Sequence, residues 1–103
     1  MKNMNQLMKQ AKKLQEDMAK AQEALGSMTV VGVAGGDAIT VEMNGHRKVL
    51  NVKIKPDVVD KDDVEMLEDL MLTAIQDAEK KAEALTEEQM GKYTKGLNIP
   101  GLF

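Results

Sequence analysis

The pair Asn44-Gly45 stands between two runs of alternating apolar residues, and this pattern is the strongest short sequence signal for a β-hairpin. A two-residue turn at this pair predicts that Glu42 lies opposite Arg47 as a favourable cross-strand pair. The other face of the hairpin is then apolar, as in an antiparallel sheet with one side in water. It carries six side chains: Ile39, Val41, Met43, Leu50, Val52 and Ile54.

A third strand is predicted just before the hairpin. Residues 29–33 are rich in β-branched side chains, which favour strands, and Gly35-Gly36-Asp37 ends this run. The three predicted strands cover about residues 28–34, 38–43 and 46–55.

The first part of the chain predicts a long helix over about residues 2–25, with Gly26 directly after its end. Its apolar residues recur at steps of three and four, which is a heptad seam. Such a helix is about 36 Å long, more than a domain of this size covers easily, so the seam needs a partner. That partner is either a second helix of the chain or another copy. The seam residues are Met4, Leu7, Ala11, Leu14, Met18, Ala21 and Leu25.

A second helix is predicted over about residues 62–85, where Asp62 and Glu65 have the spacing of a capping box. Its apolar stripe is expected to cover the apolar face of the sheet. The stripe consists of Val64, Leu67, Met71, Ala74, Ala78 and Leu85.

The end of the chain predicts one further short helix and a tail. Thr86 and Gln89 resemble a new helix start, which predicts a short helix over about residues 87–95. Residues 96–103 form an irregular apolar tail, whose Leu97 and Ile99 we assign to the same packing seam as the first helix. We therefore predict one α+β domain over residues 1–103, of αβββα order and dimeric.

Composition limits the class of protein further. The chain of 103 residues has one Tyr, one Phe, no Trp and nine Met residues, so its core is thin and self-association is a sensible way to bury more apolar surface. It has no cysteine, which excludes disulfides and thiolate metal sites. No apolar run approaches the ~20 residues of a membrane span. We expect a cytoplasmic protein without membrane contact.

Catalytic and cofactor motifs are weak. His46, the one histidine, has no acid or nucleophile placed near it by the sequence, so an exposed residue beside a turn is the better interpretation. The acids near Asp60 lack the glycine and the final Glu of a calcium loop. Gly32, Gly35 and Gly36 lack the spacing of a phosphate loop and predict turns instead. We predict no enzyme, no cofactor, no metal site and no small-molecule substrate.

Charge is distributed unevenly along the chain. The net charge is −3, yet residues 1–13 carry four lysines and no acid, whereas residues 57–69 are strongly acidic. On the first helix Lys2, Lys9, Lys13 and Lys20 line one face, with Lys12 at its flank. Lysine is a mobile point charge that suits phosphate contact, and a single arginine argues against base-specific readout. A merely solvated helix face explains the same pattern, and composition alone favours that second interpretation.

The sequence as a whole resembles the YbaB/EbfC family of bacterial nucleoid-associated proteins over nearly its full length. No single segment is specific, but the ordered set is. The segments that carry the resemblance are Met4–Ala11, Val33–Asp37, Val41–Gly45, Val52–Pro56, Asp63–Leu70, Ala74–Ala78 and Gly96–Gly101. The second glycine, Gly36, departs from many relatives and puts only the form of the turn in doubt.

The resemblance implies an αβββα homodimer whose helices project like the arms of tweezers and bind duplex DNA at the nucleoid. It associates DNA contact with the first and last helices. The corresponding residues here are Lys2, Lys9, Lys12, Lys13, Lys20, Lys80 and Lys81, with Lys92 and Lys95 less firmly assigned. The competing hypothesis is an adaptor whose seam and apolar tail dock a DNA replication or recombination protein.

Overall fold

The computed structural model describes residues 2–94, and it confirms the predicted αβββα order. The elements are α1 (Lys2–Leu25), β1 (Thr29–Ala34), β2 (Ile39–Asn44), β3 (Val49–Ile54), a 3₁₀ turn (Pro56–Val58) and α2 (Val64–Thr94). The strands form one antiparallel sheet in the order β1-β2-β3. Leu97 and Ile99 of the predicted seam, and Lys95, lie outside the described residues.

The hairpin between β2 and β3 has a different register from the predicted one. Glu42 lies opposite Asn51, not Arg47, and a bulge follows at Met43. The left-handed residue of the turn is Arg47, with φ 65°. The main-chain amide of Asn44 donates to the Lys48 oxygen at 2.9 Å, so the connection is wider than a two-residue turn. The predicted pairing of Glu42 with Arg47 is therefore wrong.

The reason for this wider turn is that Asn44 and Gly45 bind other parts of the chain. The Asn44 Oδ1 atom accepts hydrogen bonds from the amides of His46 and Lys48, at 2.9 and 3.0 Å. The Gly45 amide donates to the main-chain oxygen of Leu25 at 2.9 Å, which joins the hairpin to the end of α1. The Asn-Gly pair thus holds a helix terminus as well as a turn.

Helix α2 packs on one face of the sheet through a stripe of small residues. Ala74, Ala78 and Ala82 are fully buried against Ile39, Val41 and Met43. Gly32 permits this close approach, because a Cβ atom there would lie 2.2 Å from the Ala74 main-chain oxygen. Gly32 lies within β1, as the strand predicted over about residues 28–34 requires, and does not form part of a turn. The turn belongs to Gly35 and Gly36, with φ 63° and 62°.

The structure corrects both predicted ends of the second helix. Helix α2 runs unbroken for 31 residues, so there is no separate helix after Thr86. The Thr86 hydroxyl donates to the Ala82 oxygen at 3.0 Å, as a threonine inside a helix does. At the other end the capping residue is Asp63 rather than Asp62, since the Met66 amide donates to Asp63 Oδ1 at 3.2 Å.

Helix α1 projects from this layered core. The described chain measures 74 × 26 × 16 Å with a radius of gyration of 19.8 Å, against about 13 Å for a rounded domain of this length. Helix α1 contacts α2, and burial places that contact in its second half. Leu25 is buried and Leu14 and Met18 are half-buried, whereas Met4 and Leu7 are exposed. The seam residues in the second half of α1 are thus covered, at least in part, by the chain itself.

Within residues 2–94, neither α1 nor α2 combines the length and the apolar character that crossing a bilayer requires.

Candidate nucleic-acid interface

Three exposed lysines share the outward face of α1. Lys9, Lys13 and Lys20 are separated by four and seven residues, which places them above one another on a helix. At 3.6 residues per turn, this face lies opposite the one that carries Leu14 and Met18. Because Leu14 and Met18 lie on the side of the helix that faces the core, the lysines point away from it. Lys12 lies at the flank of this stripe, and Lys2 begins the helix.

The positive charge is concentrated in the outer half of α1. Residues 2–13 contain lysines and no acid, so this half of α1 carries only positive charge. Further along, Glu16 and Asp17 lie within one turn of Lys13 and Lys20. Lys9, Lys12, Lys13 and Lys20 form no ion pair with the residues that the structure describes, which leaves their ammonium groups available to an anion. Lys9 has no acid within four positions along α1, whereas Glu16 lies four positions after Lys12.

The predicted lysines on α2 have different surroundings. The Nζ atom of Lys81 donates to the Val31 main-chain oxygen at 2.8 Å and lies 3.0 Å from Asp77 Oδ2. Lys81 therefore belongs to the contact between α2 and the edge of β1. Lys80 is exposed, and the Lys92 ammonium lies 5.2 Å from the centre of the Tyr93 ring. In a single chain, the predicted lysines of α1 thus lie on the projecting helix, whereas Lys81 lies at the contact between α2 and β1.

The end of the projecting helix α1, which we call the arm, is held against the hairpin by two residues that the sequence did not single out as functional. The His46 imidazole Nε2 lies 2.6 Å from the Gln22 main-chain oxygen, in the last turn of α1. The Asn44 side-chain amide donates to the Gly26 oxygen at 3.3 Å. A helix leaves its last carbonyl groups without partners inside the helix, and here His46 and Asn44 contact carbonyl oxygens at this end. The sequence alone does not reveal these contacts.

The described residues offer no site for a metal. Within residues 2–94, no three or more His, Asp or Glu side chains are grouped so that they could hold an ion. Asp63, Glu65 and Asp69 line an open cleft at the start of α2. Asp63 caps this helix and Glu65 lies in its first turn, where the helix dipole favours negative charge.

The apolar side chains of strand β3 extend the hydrophobic core, but helix α2 does not cover them. Val52 lies opposite the fully buried Val41, and Ile54 lies opposite the fully buried Ile39, so these side chains point to the side of the sheet that α2 covers. Helix α2 packs on β1 and β2, and β3 lies beyond its cover. Four large apolar residues stay 39–45% exposed as a result. We call this surface the β3 face; it comprises Val49, Leu50, Val52 and Ile54.

Comparison of the chain with known families defines the class of protein. A family model matches residues 1–97, which is almost the whole chain, and its description is a DNA-binding family. The protein is therefore of the DNA-binding class. The chain belongs to the YbaB/EbfC DNA-binding family, as its sequence segments predicted.

Individual relatives support the same assignment. The chain is 59% identical over 101 residues to a nucleoid-associated protein of Bacillus thuringiensis (strain Al Hakam), which covers 98% of this chain and 93% of the relative. The same values apply to a nucleoid-associated protein of Bacillus cereus (strain AH187). The crystal structure of the uncharacterized protein HP0035 from Helicobacter pylori matches with a TM-score of 0.73 at 17% identity, over 85% of this chain and 92% of that chain. This last likeness concerns the fold alone.

Proposed function

We propose that this protein binds duplex DNA as a homodimer, through lysines on the projecting α1 arms, at the bacterial nucleoid in the cytoplasm. The observation that carries the proposal is the stripe of Lys9, Lys13 and Lys20 on the outward face of α1, none of which forms an ion pair with a described residue. The outer part of this stripe lies in a segment without acids. Phosphate contacts of this kind position a protein without reading bases. Sequence preference is therefore low or moderate, and the protein catalyses no reaction.

The fold places the densest acidic segment of this chain, whose net charge is −3, away from the lysines of α1. The acidic residues 57–69 come directly after β3, at the end of the sheet remote from α1, because β3 runs from the hairpin toward Pro56. A strand of six residues spans about 20 Å. The Debye length is about 8 Å at physiological ionic strength, so the acids at the far end of the sheet are largely screened from the arm.

The β3 face supports the dimer. Exposed apolar side chains in a continuous group mark an interaction surface, and here they continue the core of a domain whose own core is thin. A second copy has the same face, so the two β3 faces can cover each other about a twofold axis. Each copy then contributes one arm to a structure with two lysine stripes.

Binding across salt concentration tests this proposal. A short labelled duplex is titrated with the protein at several salt concentrations. If the dimer contacts about 4–6 phosphates, the plot of log K against log salt concentration has a slope of about −4 to −5. A protein that ignores the duplex at low salt contradicts DNA binding. If such a protein instead captures a purified replication or recombination factor, the adaptor hypothesis replaces the one proposed here.

A further inference from the structure

The outer half of α1 carries an apolar surface that the chain itself does not cover. Met4, Leu7 and Met8 are 68%, 63% and 68% exposed, and Ala11 beside them is exposed as well. We call these four residues the distal stripe. They continue the seam that α2 covers further along the helix, and they lie on the side of α1 away from Lys9 and Lys13. An apolar group of this kind, at the end of a projecting helix, marks an interaction surface.

We propose that the distal stripe pairs with the distal stripe of another copy bound next to it on DNA. This inference rests on the proposed DNA binding and adds to it a contact between neighbouring molecules. The partner surface is the same segment of α1, packed helix against helix about a second twofold axis.

Charge on the helix favours this partner. On one side the distal stripe borders the uncharged amides of Asn3 and Gln10, and on the other side Lys12 lies one helical turn after Met8. When two copies pack antiparallel with Leu7 and Met8 at the centre, Lys12 of each copy lies opposite Asn3 of the other. The two Lys12 residues are then about 13 Å apart along the helix axis, so like charges do not face each other. Lys9 lies on the opposite face, so it stays directed toward phosphate while the stripe is covered.

The small area of the distal stripe determines the conditions under which two copies pair through it. Four side chains bury much less than the ~800 Å² per partner of a stable interface, so the contact is weak between free molecules. Molecules held side by side on one duplex experience effective concentrations in the millimolar range, where weak contacts become occupied. Because the β3 face and the distal stripe are separate surfaces, their two twofold contacts build an open chain of dimers along DNA.

Cooperativity of DNA binding tests the proposal. The double variant Met4→Gln with Leu7→Gln is compared with the natural chain on a duplex that holds one dimer and on a duplex that holds many. Both positions are exposed, so the fold tolerates the changes. We expect equal affinity on the short duplex. On the long duplex we expect the Hill coefficient to fall to 1 and half-saturation to require at least about tenfold more protein.

Cross-linking identifies what covers the stripe. The chain has no cysteine, so a single Leu7→Cys variant reports only its own contacts. We expect a disulfide between chains on long DNA and none on the short duplex. Gln6→Cys, on the other side of the helix, is the matched control and should stay unlinked.

Other results overturn the inference in distinct ways. Unchanged cooperativity in the double variant, or non-cooperative binding by the natural chain, rejects the distal stripe while leaving single-dimer binding intact. A double variant that sediments as a monomer assigns the stripe to the primary dimer instead. A disulfide within one chain between Leu7→Cys and Leu97→Cys assigns it to the chain's own tail. Failure of the natural chain to bind the short duplex rejects the proposed function itself.

Discussion

The main-chain amide of Val33 donates a 2.9 Å hydrogen bond to the Asp77 carboxylate, which joins the outer edge of β1 to α2. Lys81 lies 3.0 Å from the same carboxylate oxygen and also donates to the Val31 oxygen. The hydrogen bond from Val33 is the largest cause that lowers the pKa of Asp77, followed by the hydrogen bond from Lys81. The ionised carboxylate is therefore the form that holds helix and strand together.

We expect the Asp77 carboxylate to make stability depend on pH in the acid range. Its pKa in the folded chain lies below the ordinary value of 3.8, so its contribution is complete above pH 3.8 and is lost as the pH falls through the lowered pKa. The variant Asp77→Asn should be less stable than the natural chain at neutral pH. The difference should shrink below pH 3.8. Urea unfolding from pH 7 to pH 2.5 measures both.

The matched control for this experiment is Glu79→Gln, an exposed carboxylate on the same helix. The free energy of unfolding of this variant should differ little from that of the natural chain at every pH, since exposed single charges contribute little to stability. A stability difference for Asp77→Asn that stays constant down to pH 2.5 would show that charge is irrelevant at this contact.

Gly32→Ala should destabilise the fold through overpacking. The new Cβ atom would lie 2.2 Å from the Ala74 oxygen and 2.4 Å from the Ala78 nitrogen, which are main-chain atoms of α2. The helix must move to make room, at a cost of about 1–3 kcal/mol in the free energy of unfolding. Gly91→Ala is the control, because its Cβ atom meets nothing within 4 Å and alanine favours a helix. Equal stability of the two variants in urea contradicts the close approach.

Reversing charge on the arm should weaken DNA binding selectively. The double variant Lys9→Glu with Lys13→Glu is compared with Lys55→Glu with Lys61→Glu, which changes the net charge equally on exposed residues away from α1. We expect the first variant to lose affinity and to shallow the salt slope by about 1 for each lysine that contacts a phosphate. A fluorescence titration measures both. If the two variants bind alike, overall charge and not the α1 stripe governs binding.

A charge placed on the β3 face should separate the two copies. Val52→Lys puts an ammonium group on the apolar side of β3, where a partner would desolvate it. An unpaired buried charge costs several kcal/mol, so the dimer dissociation constant should rise by more than about a hundredfold. The control is Asn51→Lys, on the polar face of the same strand. Analytical ultracentrifugation reads the result, and a Val52→Lys protein that remains a dimer excludes this face.

Patterns local to one element predicted the fold well. The seam from Met4 to Leu25 predicted α1 with its observed bounds, and the alternation from Ile39 to Met43 predicted β2. What the patterns missed depends on distant partners. Asn44 and Gly45 are engaged by the end of α1, which widened the hairpin and shifted its register. A residue that contacts two elements cannot be assigned both contacts from the spacing of residues along one of those elements.

The candidate site divides in the same way. Periodicity alone placed Lys9 and Lys13 on one face of α1, and their exposure agrees with that placement. It also selected Lys81, whose partners lie 4 and 50 positions away in the chain. Only the packing of α2 across β1 brings Lys81 to the Val31 oxygen. His46 was expected to be exposed, and it is, but its contact with Gln22 required the whole fold.

The unequal edges of the sheet limit how far strands can be added. On β1, Asp77 and Lys81 already occupy the amide of Val33 and the carbonyl of Val31, as proteins do to blunt an edge. Two copies that joined at β3 would therefore end in a blocked β1 on each side. Growth by strand addition would stop at that point, so the occupied edge of β1 counters the formation of amyloid-like fibres.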